Sequence, residues 1–136
     1  MVNQIVVAGA IVAESVVLIA QRTRPPELAG RWELPGGKVA ASETEPEALA
    51  RELAEELGVE VQVGPRLGDD VVLNATTTLR AYQVSLVRGE PHPHDHAALR
   101  WVSAAQLHEI DWVPADRGFL AALDRLLVTT AAEDPR

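Results

Sequence analysis

From Gln4 to Val12 the chain is a nearly unbroken run of β-branched and small apolar residues, which predicts a buried strand. A short turn at Ala13-Glu14-Ser15 leads into Val16-Val17-Leu18-Ile19-Ala20, a second strand. Gln21 to Gly30 is a polar connection holding Arg22, Arg24 and Pro25-Pro26, ordered by proline. Arg31 to Leu34 is a short extended piece ending at Pro35, whose predecessor is biased away from helix. Pro35-Gly36-Gly37-Lys38 then reads as a glycine-rich turn. Beyond it the period becomes helical. Leu49, Leu53 and Leu57 recur at i, i+4 and i+8 as one buried stripe. Thr44-x-x-Glu47 has capping-box spacing, Pro46 suits a first helical turn, and Gly58 is placed to end the helix as a left-handed residue.

Downstream the pattern returns to strands. Val59 to Val63 alternates, Gly64-Pro65 suggests a turn, and Asp70 to Asn74 with Thr76 to Val87 suggests a hairpin. In that hairpin Leu79, Ala81 and Gln83 share one face, while Tyr82 and Val84 share the other. Gly89 to Ala98 is a loop with alternating prolines and histidines, and Leu99 to Val102 is a last short strand. Ser103-x-x-Gln106 opens a short helix in capping-box form. Pro114-Ala115-Asp116 precedes a final helix in which Phe119, Leu120, Leu123, Leu126 and Leu127 keep helical period. Thr129 to Arg136 reads as a frayed tail. The sum is an α+β arrangement, a central sheet covered by helices, in one domain over residues 1–136.

Composition narrows the function classes. With 136 residues and 47% hydrophobic content, the chain can bury a core. A net charge of −8 argues against binding nucleic-acid polymers or membrane surfaces, both of which want a basic patch. The lack of cysteine excludes disulfides, thiolate zinc sites and cysteine nucleophiles. The amino terminus lacks a basic, cleavable leader, and no apolar run approaches the ~20 residues of a membrane span, so a cytoplasmic location is expected.

The chemistry concentrates in the first helix. Glu52, Glu55 and Glu56 fall within a sector of roughly 100° about its axis. Like charges at that spacing destabilise a helix by a few tenths of a kcal/mol per pair. Arg51 alone cannot balance three carboxylates, whereas a hard divalent cation such as Mg²⁺ or Mn²⁺ can. On the helix alone, a solvated acidic face is the competing reading. The surroundings decide between the two. Gly37, five residues, Glu43, seven residues and then Arg51-Glu52-Leu53-Ala54-Glu55-Glu56-Leu57-Gly58-Val59 match, position for position, the signature of the Nudix hydrolases, which this chain resembles over 37–59.

The resemblance implies an α/β/α sandwich with a mixed central sheet and metal-assisted hydrolysis of a diphosphate linkage. It implies that Glu52, Glu55, Glu56 and the Gly37 carbonyl hold the metal, with Glu52 also handling the attacking water. Arg51 is then an orienting partner, paired with Glu43 or Glu55. Over almost all of residues 4 to 128 the chain looks like the MutT-type branch, which converts nucleoside triphosphates to the monophosphate and pyrophosphate. That branch implies a metal ligand or base at Asp95, and substrate contacts at Arg22, Leu34, Lys38 and Asp116. Asp95 departs from the usual Glu and sits among His92, His94 and His96. Those three could bind a transition metal if they faced one way on a strand, but the interleaved prolines favour an exposed loop.

Asp116 stands where enzymes that cleanse oxidised guanine nucleotides carry asparagine. An ionised aspartate only accepts hydrogen bonds, and cytosine offers an N4 amino donor. The expectation is a preference for CTP, dCTP and 5-substituted forms, with 8-oxo-dGTP hydrolysis as the alternative. Asp116 as a mere helix N-cap is the simpler role. A non-catalytic nucleotide sensor is the alternative of another class. The substrate is a small nucleotide in either case, and monomer and homodimer both stay open.

Overall fold

One strand organises the computed structural model, which describes residues 3–133. This is β1 (Gln4–Ala13), and it touches three neighbours. Its far end pairs antiparallel with β2 (Val16–Gln21), across a tight turn where Glu14 and Ser15 both have left-handed φ, 50° and 66°. Two consecutive left-handed residues match the twist of the flanking strands. Its first half lies between β4 (Gly36–Lys38), antiparallel, and β6 (Thr77–Arg88), parallel from Gln4↔Thr77 to Ile11↔Val84. β3 (Trp32–Glu33) and β7 (Ala98–Ser103) join β2, and β5 (Glu60–Asn74) joins the outer side of β6.

Alternation along β1 divides the core in two. Val7 and Ile11 face α1 (Glu45–Leu57), packing with Leu49, Leu53, Leu57, Tyr82 and Val84. Ala8 and Ala10 face the other way, toward Leu79, Ala81, Val102, Phe119, Leu123 and Leu127. Short helices of 3-10 form at Ala104–Glu109 and Pro114–Phe119, and the second runs straight into α2 (Leu120–Glu133). Phe119 is thus the last residue of the short helix rather than part of the final one. Helices cover both faces of a mixed sheet, the expected α+β sandwich.

The glutamate helix is capped at both ends. Thr44 Oγ1 accepts from Glu47 N at 3.2 Å, and Glu47 Oε1 accepts from Thr44 N at 2.8 Å. Gly58 closes the far end at φ 71°. The histidine loop supplies donors there: His92 N–H reaches Leu57 O at 3.0 Å and His94 N–H reaches Glu56 O at 3.2 Å.

Three expectations need correction. Gly36 and Gly37 lie in β4 rather than in a turn, and neither has positive φ. They are glycine because backbone and side chains come close: a Cβ on Gly36 would sit 1.9 Å from Val7 O. Gly64-Pro65 interrupts nothing, since β5 is continuous from Glu60 to Asn74. The register shifts between Val63 and Arg66, so the extra residues form a bulge where the missing proline N–H costs no ladder bond. Residues 129–133 are helical, not frayed, because α2 propagates beyond its last buried residue, Leu127, at little cost per residue. Residues 134–136 of the expected tail lie outside the described residues.

Candidate active site

A cleft of about 620 Å³ opens beside β3 and β4 and is lined by Gly37, Lys38 and Glu56 together with Arg22, Glu33, Leu34, Asp95, His96 and Asp116. At the glutamate end Arg51 is the hub. Its Nε and Nη2 bind both oxygens of Glu43, at 2.6 and 2.9 Å. Its Nη1 reaches Glu52 at 3.0 Å and Glu55 at 3.3 Å, and Nη2 also reaches the Lys38 carbonyl at 3.2 Å. The helix is thereby tied to β4 and to the connection between them. Hydrogen bonds from Arg51 hold the Glu43 carboxyl down to about 2, and pairing raises Arg51 further above its already high value.

Glu52 turns toward β4, where a Cβ on Gly37 would lie 2.3 Å from its Cδ. Glu56 points into the cleft. Its Oε2 is buried without a hydrogen-bond partner. Burial pushes its carboxyl up to about 7, a protonated His96 pulls it down, and the charges of Glu52, Glu33 and Asp95 push it up again. Glu55 stays outside the cleft with a side chain 61% exposed. As they lie, no three acidic or histidine side chains among the described residues converge closely enough to hold a cation. Arg51 draws Glu52 and Glu55 to itself. The orphaned Glu56 oxygen and the cradle at Gly37 nonetheless suit a hard cation with oxygen ligands.

Glu33 lines the cleft. It accepts from Arg22 Nη1 at 2.9 Å and from His96 Nε2 at 3.0 Å. Its charge raises the pKa of both Glu56 and Asp116. Burial opposes the charged form of His96, yet Glu33, Glu56 and Asp95 together raise its pKa above the ordinary value. His92 and His94 stack instead on each other, centroids 6.4 Å apart, and His94 Nδ1 lies 3.3 Å from Glu55 O. The three histidines do not share a site. Asp95 pairs with Arg24, and Lys38 is exposed at the cleft edge.

At the far end Asp116 is only 4% exposed. It caps no helix. Its Oδ2 accepts from the N–H of Leu34 at 2.7 Å. Burial drives the carboxyl up to about 7, against the Leu34 hydrogen bond, with Glu33 adding to the rise and Arg22 opposing it. Leu34 is buried beside it and lines the cleft wall. Sequence reasoning overlooked Glu33. A charged residue between Trp32 and Leu34 in a short extended piece was the available signal.

Fold and cleft define a class. The NUDIX domain family model matches residues 3–123, and the chain belongs to that family. It is a Nudix hydrolase, an enzyme of the pyrophosphohydrolase type. A Mycobacterium tuberculosis protein provisionally named 8-oxo-dGTP diphosphatase 2 is 69% identical over 136 residues, 98% of this chain and 96% of that one. The CTP pyrophosphohydrolase of Escherichia coli is 36% identical over 130 residues, covering 94% of this chain and 96% of that one. The solution structure of the E. coli ORF135 protein superposes with a TM-score of 0.78 at 31% identity, covering 100% of this chain and 96% of that one. Among the described residues no helix is long and apolar enough to cross a membrane.

Proposed function

We propose that the enzyme hydrolyses nucleoside triphosphates to the monophosphate and pyrophosphate, with Mg²⁺ or Mn²⁺ held by Glu52, Glu56 and the Gly37 carbonyl, and Glu55 recruited from Arg51. When bound, the cation would neutralise charge on the phosphate oxygens and lower the pKa of the attacking water. Arg51 keeps Glu52 oriented toward Gly37, where that carboxylate can take a proton from water. Water attacks phosphorus, the diphosphate P–O bond breaks, and pyrophosphate leaves. Lys38 and Arg22 supply positive charge along the cleft, and Leu34 offers an apolar wall to the base.

The carrying observation is that one cleft holds the glutamate end and Asp116 together. Ionised, Asp116 accepts from cytosine N4, which favours CTP, dCTP and 5-substituted forms. This agrees with the printed name of the E. coli relative. A second reading, 8-oxo-dGTP, has its own support. Burial keeps Asp116 protonated in part near neutrality, so it can donate as well as accept. Oxidation at C8 turns N7 of guanine into an N–H donor beside the O6 acceptor, and a neutral carboxyl complements that pair. The name of the 69% identical relative points the same way. Comparing kcat/KM for CTP, dCTP and 8-oxo-dGTP at pH 6 and pH 8 tests both. Cytosine nucleotides should lead at pH 8, and 8-oxo-dGTP should gain at pH 6. A lead for 8-oxo-dGTP at both values sinks the cytosine preference. Nucleotide binding without metal-dependent turnover would instead mark a sensor.

A further inference from the structure

A polyphosphate entering this acidic cleft needs positive charge from the protein, and the arginines are not equally free to give it. Arg51 commits its guanidinium to Glu43, Glu52, Glu55 and the Lys38 carbonyl. Arg22 commits Nε to the Arg24 carbonyl at 2.9 Å and Nη1 to Glu33. Arg24 is different. Among the described residues its guanidinium bonds to Asp95 alone, with Nη2 3.3 Å from each carboxylate oxygen, and the side chains are 72% and 55% exposed. Both residues line the cleft, on opposite loops.

The backbone under Arg24 is firmly held. Leu28 N–H bonds to Pro25 O, Gly30 N–H to Arg22 O, and Arg22 N–H to Arg31 O. The position of the side chain is also informative. Arg24 and Asp95 line the same cleft as Gly37, Lys38 and Glu56, so the pair stands on the wall of the space that a diphosphate linkage would enter. A long, exposed ion pair is weakly held. A phosphate presents a guanidinium with a bidentate, doubly charged alternative.

We infer that Arg24 is a phosphate-binding residue of this enzyme, parked on Asp95 until a polyphosphate takes it over. The inference rests on the nucleoside triphosphate reading above. Transfer of Arg24 to the substrate frees the Asp95 carboxylate within the cleft that Glu56 also lines, so arrival of the tail resets the charge there.

Isothermal titration in EDTA at low ionic strength tests this with CTP, 8-oxo-dGTP and the matching monophosphates. Arg24→Ala should weaken the better-bound triphosphate about five- to tenfold while changing the monophosphate less than about twofold. Arg24→Lys should recover part of the loss, since it keeps the charge and loses the fork. Asp95→Asn should tighten triphosphate binding when Arg24 is present and less so in the Arg24→Ala background, because only the first case spares the pair from being broken. If wild type binds triphosphate more tightly than monophosphate but Arg24→Ala does so equally well, the phosphate contact is overturned and the pyrophosphohydrolase reading stands. An equal Asp95→Asn effect in both backgrounds overturns the parking. Wild type that makes no distinction between triphosphate and monophosphate, in EDTA or Mg²⁺, overturns the reading and this inference together.

Discussion

Glu56 and Asp116 line the same cleft, and burial pushes both carboxyls up to about 7, but their company differs. Glu56 sits in a crowd of charge: Glu52, Glu33 and Asp95 raise it, and His96 lowers it. Asp116 has fewer charged neighbours: one backbone N–H holds it, Glu33 raises it and Arg22 lowers it. The first environment is an ionic network whose members restrain one another. The second hangs on a single proton. Rate and base choice should therefore separate under mutation.

The largest break in that comparison is Glu56→Gln, which removes the buried oxygen donor of the glutamate end. It should lower kcat by about 10³-fold for every nucleotide and leave the ratio between bases unchanged. A selective loss for one base, in parallel steady-state assays, would mean that the two ends are not separate. Gly37→Ala is the next test. Its Cβ would meet the Glu52 carboxyl at 2.3 Å, and a side chain can swing away where a backbone cannot. The expected result is a drop of about 10²-fold in kcat with thermal stability near that of wild type, because the carboxylate is displaced rather than the fold.

Asp116→Asn acts on the other end. It fixes one donor and one acceptor at every pH, so the cytosine to 8-oxo-dGTP ratio of kcat/KM should fall about tenfold at pH 8 and lose its pH dependence. An unchanged ratio reduces Asp116 to a structural tie to Leu34. The smallest effect concerns stability. The folded-state pKa of about 7 lies above the ordinary 3.8, so the native protein holds a proton that the unfolded chain has released. The stability this gives is complete below the ordinary value and is lost as pH rises through 7. Glu56 has the same sign. The melting temperature of the metal-free protein should fall by about 3–5 °C between pH 5 and pH 8, and Asp116→Asn should flatten part of that slope.

Legibility followed the distance along the chain. Thr44, Pro46, Gly58 and the Leu49-Leu53-Leu57 stripe announced α1 and both of its ends, because capping and amphipathic spacing are local properties. The resemblance offers Glu43 or Glu55 as the partner of Arg51, and the fold gives it both. The glycine pair Gly36-Gly37 reads as a turn in sequence and is a strand in the fold, where the absent side chains allow close approach to Val7 and Glu52. The bulge at Gly64-Pro65 was read as a turn because residue preference cannot tell an end of pairing from a shift of register. Glu33 and His96 escaped notice as partners, since a contact between β3 and the β6–β7 loop spans 63 positions.

By itself the sequence determined the family, since 37–59 carries its glutamates, its hub arginine and its glycine at spacings that a single helix and the strand before it hold in place. It also determined which residues of β6 face which half of the core, through alternation along that strand. Only the tertiary structure decided the state of Asp116. A carboxyl in sequence is an acceptor of ordinary acidity. Burial against Leu34, 82 positions away, takes it out of water, and desolvation of the charged form moves its proton equilibrium toward neutrality.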